Sequence, residues 1–245
     1  LFGLELDPRC TQIAAFALAL AAWKYPGEDG EPLGFRPLPQ LHIACSGQGV
    51  AGKKDDWLAL ANGDSRLRDG MDRLYDLFQQ APDLGSLIDP RREKGDLYEA
   101  GYAELQPLLV KALAKKAGDA DLSAVGVAAQ GITRAAELLG GQYTLVMTNV
   151  PYLGRGKQGD ALKEYIETHY SIAKADLATA FVMRCLQLLK ADGSTALVTP
   201  QNWLFLTSYK KLREELLKRR KWNLVARLGP KGFITPMWDC LLYTS

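Results

Sequence analysis

The residues of this chain best suited to chemistry are Asn149, Val150, Pro151 and Tyr152. They follow Tyr143 to Thr148, a short β-branched and apolar run of the kind that forms a buried strand of a parallel sheet. The carboxyl end of such a strand is where open α/β sheets place ligands. Asn149 offers a side-chain oxygen there, residue 150 a backbone carbonyl and Tyr152 a flat face. Two acceptors beside an aromatic ring suit a planar ligand that carries N–H donors. Pro151 stiffens the loop and biases Val150 toward an extended backbone. Asn and Pro are also ordinary turn residues, so taken alone the tetrad reads as a turn that closes a strand.

The elements that must hold this tetrad follow from periodicity. LFGLEL opens the chain as a strand, Asp7 reads as the N-cap and Pro8 as the first residue of a helix that runs through Trp23. Glu5 then stands at a strand's carboxyl end, where doubly wound nucleotide-binding folds keep the acid that accepts from ribose hydroxyls. The alternative is a solvated edge residue. Residues 25–40 are rich in Gly and Pro and read as an exposed loop; Leu41 to Cys45 is the next strand, ending in Ser46-Gly47. Helical apolar spacing follows over Asp72 to Gln80, Tyr98 to Lys116 and Ser123 to Leu139. Such a long excursion between strands exceeds an ordinary α/β connection and reads as a helical insertion, residues 49–140. Residues 1–48 and 141–245 are then the expected catalytic core.

Beyond the tetrad, Leu153 to Gly159 carries Arg155 and Lys157 among glycines, without the G-x-x-x-x-G-K-[ST] pattern. It reads as a mobile loop that closes over substrate or a DNA backbone. Asp176 to Leu189 is amphipathic and leads through Ala191-Asp192-Gly193 into a strand, Thr195 to Thr199; Ser208 to Arg220 is the next helix and Trp222 to Leu228 a further strand. Strands alternating with helices at this spacing make a parallel sheet with right-handed connections. Lys210 and Lys211 open a basic helix that is either a solvated face or a DNA contact.

Composition narrows the class. With 47% hydrophobic and 24% charged residues in 245, the chain is an ordinary globular one with room for a large α/β core. The longest helical apolar run, Ile13 to Trp23, is too short to span a bilayer, and no membrane partner is expected. Four scattered cysteines and two isolated histidines suggest neither a disulfide framework nor a metal site, which fits a cytoplasmic setting. The net charge of +2 does not by itself announce a nucleic-acid partner. Leu1 is not a methionine and both ends lie in apolar runs, so a fragment of a longer chain is expected.

The tetrad resembles the Asn-Pro-Pro-Tyr signature of S-adenosylmethionine-dependent amino-methyltransferases, above all those acting on the N6 amine of adenine in DNA. Val150 replaces the first proline of that signature. With L-x-L-D-P around Glu5, and with ALVTPQNWL followed by KKLREELL, the chain resembles the Eco57I-type restriction-modification methylases and the BREX phage-defence methyltransferases. The resemblance covers nearly the whole chain. It implies a Rossmann-like methyltransferase sheet whose glycine-rich first strand would precede Leu1, so that the isolated chain should bind cofactor poorly. It implies S-adenosylmethionine as cofactor, double-stranded DNA as substrate and other defence-system subunits as possible partners.

Glu5 then matches the ribose-binding acid and Leu6 the residue packed on the cofactor's adenine. Cys45 and Ser46 stand where many relatives carry an adenine-binding Asp, and are either cofactor contacts or packing and turn residues. Asn149 and the residue-150 carbonyl hold the amine, which Val150 leaves unchanged in acceptor count, so proline at 150 should be tolerated. Tyr152 and Phe233 are the two walls for a flipped base. Methylation of a protein glutamine or of RNA, and a degenerate fold kept for DNA binding or assembly, are the alternatives.

Overall fold

A computed structural model describes residues 1–39, 41–92, 105, 107, 109, 110 and 120–228. The chain is mixed α/β and divides into two compact units, Leu1–Gly141 and Gln142–Ser245. Among the described residues the strands form two small parallel sheets of two strands each.

In the first unit, β1 (Phe2–Glu5) pairs with β2 (His42–Cys45), Phe2 opposite His42 and Glu5 opposite Cys45. Parallel neighbours need a crossover, and α1 (Pro8–Lys24) supplies it. Its start is as the sequence predicts: Asp7 is the N-cap, its carboxylate accepting from the Arg9 N–H at 2.8 Å, and Pro8 opens the helix. The Asp7 carboxyl is held down to about 2, chiefly by its side-chain hydrogen bond from Arg9.

The helical stretch starts with α2 (Lys54–Ala59), α3 (Ser65–Phe78) and the single turn α4 (Ala81–Leu84). α3 begins a full turn and more before the predicted Asp72, because Asp64 caps it through the Leu67 N–H at 3.0 Å. Leu67, Met71, Leu74 and Phe78, at helical spacing, are its buried stripe. Most of the helix expected over residues 98–116 lies outside the described residues. α5 (Ala120–Gly140) contains the predicted 123–139 helix. Its Ala129, Ile132, Ala135, Ala136 and Leu139 are fully buried, and it packs on β1 and β2 as well as on α2 and α3. A run of small side chains on one face lets a helix lie close to a sheet, so this helix is a layer of the first unit's α/β core.

In the second unit, β3 (Tyr143–Asn149) pairs in parallel with β4 (Leu189–Val198), Asn149 opposite Val198. α6 (Asp160–His169) and α7 (Leu177–Gln187) make the crossover, and α8 (Lys210–Arg219) follows β4. Two expectations change here. Ala191-Asp192-Gly193, read as a loop, lies within β4, where pairing jumps from Tyr143 opposite Leu189 to Leu145 opposite Ser194. The excess residues bulge out of the ladder. Gly193 serves close approach there, since a Cβ would stand 2.9 Å from the Tyr143 carbonyl oxygen. Trp222 to Leu228, read as a strand, is irregular and pairs with no described strand; Leu224 is 84% exposed. Apolar alternation makes a strand only where a neighbour takes up its N–H and C=O groups.

Candidate active site

β3 delivers Asn149 at its carboxyl end, and the ladder continues one step further: the Val150 N–H donates to the Val198 carbonyl at 3.2 Å. Val150 is 2% exposed, so its side chain anchors the tetrad in the core while Asn149 stays at the surface. A proline at 150, expected to be tolerated, would lack the N–H that donates to Val198. The Val150 carbonyl accepts from no described residue. The Tyr152 hydroxyl donates to Asn149 Oδ1 at 2.8 Å, which closes the tetrad on itself. Burial pushes the Tyr152 phenol above its ordinary range.

The segment after the tetrad is pinned, contrary to the mobile loop expected. The Leu153 carbonyl accepts from the Leu177 N–H at 2.9 Å and from Gln158 Nε2 at 3.0 Å. The Arg155 N–H donates to the Ala175 carbonyl at 3.2 Å, and Gly154 bridges to Asp176. Asp176 also caps α7, accepting from the Ala178 N–H at 2.8 Å, and burial raises its carboxyl above the usual range. Asp176, Thr179, Asn202, Trp203 and Tyr209 line a small cleft. None of these was singled out from the sequence. An Asp immediately before an amphipathic helix is the one signal that marked Asp176.

Arg155 pairs with Glu167 at 2.9 Å, and Lys174 holds the other oxygen of that carboxylate at 2.7 Å. The hydrogen bond from Lys174, then that from Arg155, keeps the Glu167 carboxyl below its ordinary range. Lys157 and Lys211 are exposed and pair with no described acid, whereas Lys210 stands 3.8 Å from Glu214. Phe233 lies outside the described residues.

In the first unit, Glu5 is half-buried at the end of β1, and its carboxylate makes no hydrogen bond or ion pair with a described residue. Its main chain is tied down instead. The Ser46 N–H and hydroxyl donate to the Glu5 carbonyl at 2.7 and 3.2 Å, and the Cys45 thiol to the Leu6 carbonyl at 3.3 Å. Cys45 and Ser46 are buried, and the contacts they make brace this corner. The Leu6 side chain is 54% exposed and runs between Gly47 and Gly85. A Cβ at Gly47 would collide with the Leu6 carbonyl, and one at Gly85, where φ is +49°, would stand 2.7 Å from Leu6 Cδ1. The Glu5 carboxylate thus has no described partner, and Leu6 leaves an aliphatic side chain open to solvent.

The family model described as Eco57I restriction-modification methylase matches residues 1–233 of this chain. The chain therefore belongs to that methylase family. It is 30% identical over 255 residues to the adenine-specific methyltransferase BrxX of Escherichia coli O9:H4 (strain HS), a match that covers 95% of this chain and 20% of that protein. It is 35% identical over 106 residues to the adenine-specific methyltransferase PglX of Lacticaseibacillus casei (strain Zhang), covering 42% of this chain and 9% of the relative. The chain thus spans a fifth or less of the length of these two relatives. No helix among the described residues is long and apolar enough to cross a membrane.

Proposed function

We propose that this chain is the catalytic portion of an enzyme that transfers a methyl group from S-adenosylmethionine to the N6 amine of adenine in double-stranded DNA, within a restriction-modification or phage-defence system. The observation that carries the proposal is the tetrad: Asn149 Oδ1 at the surface end of β3, held by Tyr152, next to a Val150 carbonyl that accepts from no described residue. Residues 1–48 and 141–245 are assigned to a Rossmann-like core and residues 49–140 to a helical insertion, whose last helix, α5, packs back on β1 and β2 of that core. The setting is cytoplasmic, where the DNA is, and other defence-system subunits are its partners.

An amine conjugated to a purine is a poor nucleophile because its lone pair is delocalised into the ring. Asn149 Oδ1 and the Val150 carbonyl each accept one N–H, which localises the lone pair on nitrogen. That stabilisation is greatest as charge develops, and so lowers the barrier more than it strengthens binding. S-adenosylmethionine would supply an electrophilic methyl group and leave as S-adenosylhomocysteine, the amine releasing one proton, and Glu5 would accept from its ribose hydroxyls while Leu6 would pack on its adenine. Cys45 and Ser46 hold the Glu5–Leu6 corner for that purpose. The tetrad carries no thiol, so transfer is direct, without a covalent enzyme intermediate. The target base leaves the duplex and stacks on Tyr152, with Phe233 as the opposite wall. Lys157, Lys210 and Lys211 meet the DNA backbone, and Arg155, already paired with Glu167, contributes less charge there.

The test is methyl transfer by the full-length protein to adenine-containing duplex DNA, with RNA, denatured protein and no substrate as comparisons. Incorporation confined to adenine in DNA is the expected result. Incorporation into RNA or protein alone would overturn the substrate assignment.

A further inference from the structure

We propose that the Tyr152 hydroxyl is a positioning group for Asn149, keeping the side-chain oxygen, and not the amide nitrogen, in the place that receives the substrate amine. The inference rests on the reading of Asn149 as an amine acceptor and assigns Tyr152 a role separate from stacking. Asn149 is exposed, and the 2.8 Å hydrogen bond from Tyr152 is the one its side chain makes to a described residue. An exposed amide otherwise rotates freely, and half a turn replaces an acceptor by a donor that repels an amine's N–H. A phenol selects between these two states. Its O–H is a good donor, whereas its oxygen lone pair is delocalised into the ring and accepts weakly, so it favours the amide oxygen over the nitrogen.

Two features make this bond suited to the task. Val150, locked between Asn149 and Tyr152 by its buried side chain and its bond to Val198, fixes the span across which the two side chains meet. An amide oxygen has two lone pairs, so the one left over is available to the substrate.

The experiment is a double-mutant cycle in the full-length protein, read by single-turnover methylation of a duplex with one target adenine. Tyr152→Phe keeps the ring and loses the hydroxyl. It should lower the rate of transfer by about 1.4- to 1.9-fold, since an amide held one way by the net strength of one hydrogen bond then divides equally between its two orientations. The KM for DNA and the 2-aminopurine fluorescence rise on base extrusion should stay as in the wild type. In the Asn149→Ala background the same change should cost nothing further, since its acceptor is gone. An unchanged rate in Tyr152→Phe, or an equal loss in both backgrounds, would overturn the inference. Where turnover of Asn149→Ala is too slow to follow, the Tyr152 ¹³Cζ resonance decides, assigned by its loss in Tyr152→Phe. It should shift on Asn149→Ala, and a resonance that does not move would refute the contact. Full turnover by Asn149→Ala would instead refute the acceptor role itself, an outcome distinct from failure of the Tyr152 inference alone.

Discussion

Replacing Glu5 by alanine separates binding from stability unusually well. The carboxylate makes no hydrogen bond or ion pair with a described residue, and the corner it sits on is held by main-chain acceptors that alanine retains. Its removal should therefore leave the thermal transition of the full-length protein in place. If the acid accepts from ribose hydroxyls, the loss appears in cofactor affinity instead. Hydrogen bonds to a charged acceptor contribute about 1.5–3 kcal/mol, which corresponds to a weakening of roughly 12- to 160-fold. Glu5→Gln keeps one acceptor oxygen without the charge, and should lose about 0.5–1.5 kcal/mol, or roughly 2- to 12-fold. Isothermal titration with S-adenosylmethionine on wild type and both variants gives the ranking. Affinity within twofold of wild type for Glu5→Ala would refute the assignment, and a lowered thermal transition would show that the carboxylate serves the fold.

Four further outcomes follow from the same geometry. Asn149→Ala should reduce methyl transfer by about 10²–10³, as loss of one hydrogen-bonding group aimed at a transition state does, with cofactor affinity unchanged by titration. Val150→Pro removes the N–H donated to Val198 and should destabilise the tetrad by about 1 kcal/mol, read as faster hydrogen exchange at the end of β3; unaltered exchange would contradict the bond. Tyr152→Ala should cost stacking of about 1–3 kcal/mol, partly recovered on a duplex with a mismatched target adenine, and a loss of cofactor affinity in its place would move Tyr152 out of the base pocket. Asp7 has its pKa lowered in the fold, so its cap on α1 is fully present above the ordinary carboxylate value of 3.8 and is lost as pH falls through about 2. Amide exchange at Arg9 followed by NMR should accelerate only in that window, and in Asp7→Ala at every pH.

The sequence by itself determined the local features. The helix start at Asp7 was legible because a cap is a contact between neighbours in the chain, and the helix after Asp176 from its amphipathic spacing. The strands ending in Glu5, Cys45 and Asn149 were legible from short apolar runs that stop at turn residues, and the tetrad from the chemistry of its own four side chains. Tertiary structure decided whatever depends on a partner distant in the chain. It refused Trp222 to Leu228 a described neighbour strand and took Ala191 to Gly193 into β4 as a bulge. It tied Arg155 to Glu167, and it turned the loop after Tyr152 into a segment pinned by Ala175, Asp176 and Leu177. The roles of Val150 and Tyr152 changed most. Side-chain type announced a carbonyl and a flat ring, but the Val150 N–H found Val198 and the Tyr152 hydroxyl found Asn149 only because β3 and β4 fix the backbone on which those groups meet. Hydrogen bonds are directional and short, so their partners are set by three-dimensional placement that no spacing along the chain encodes.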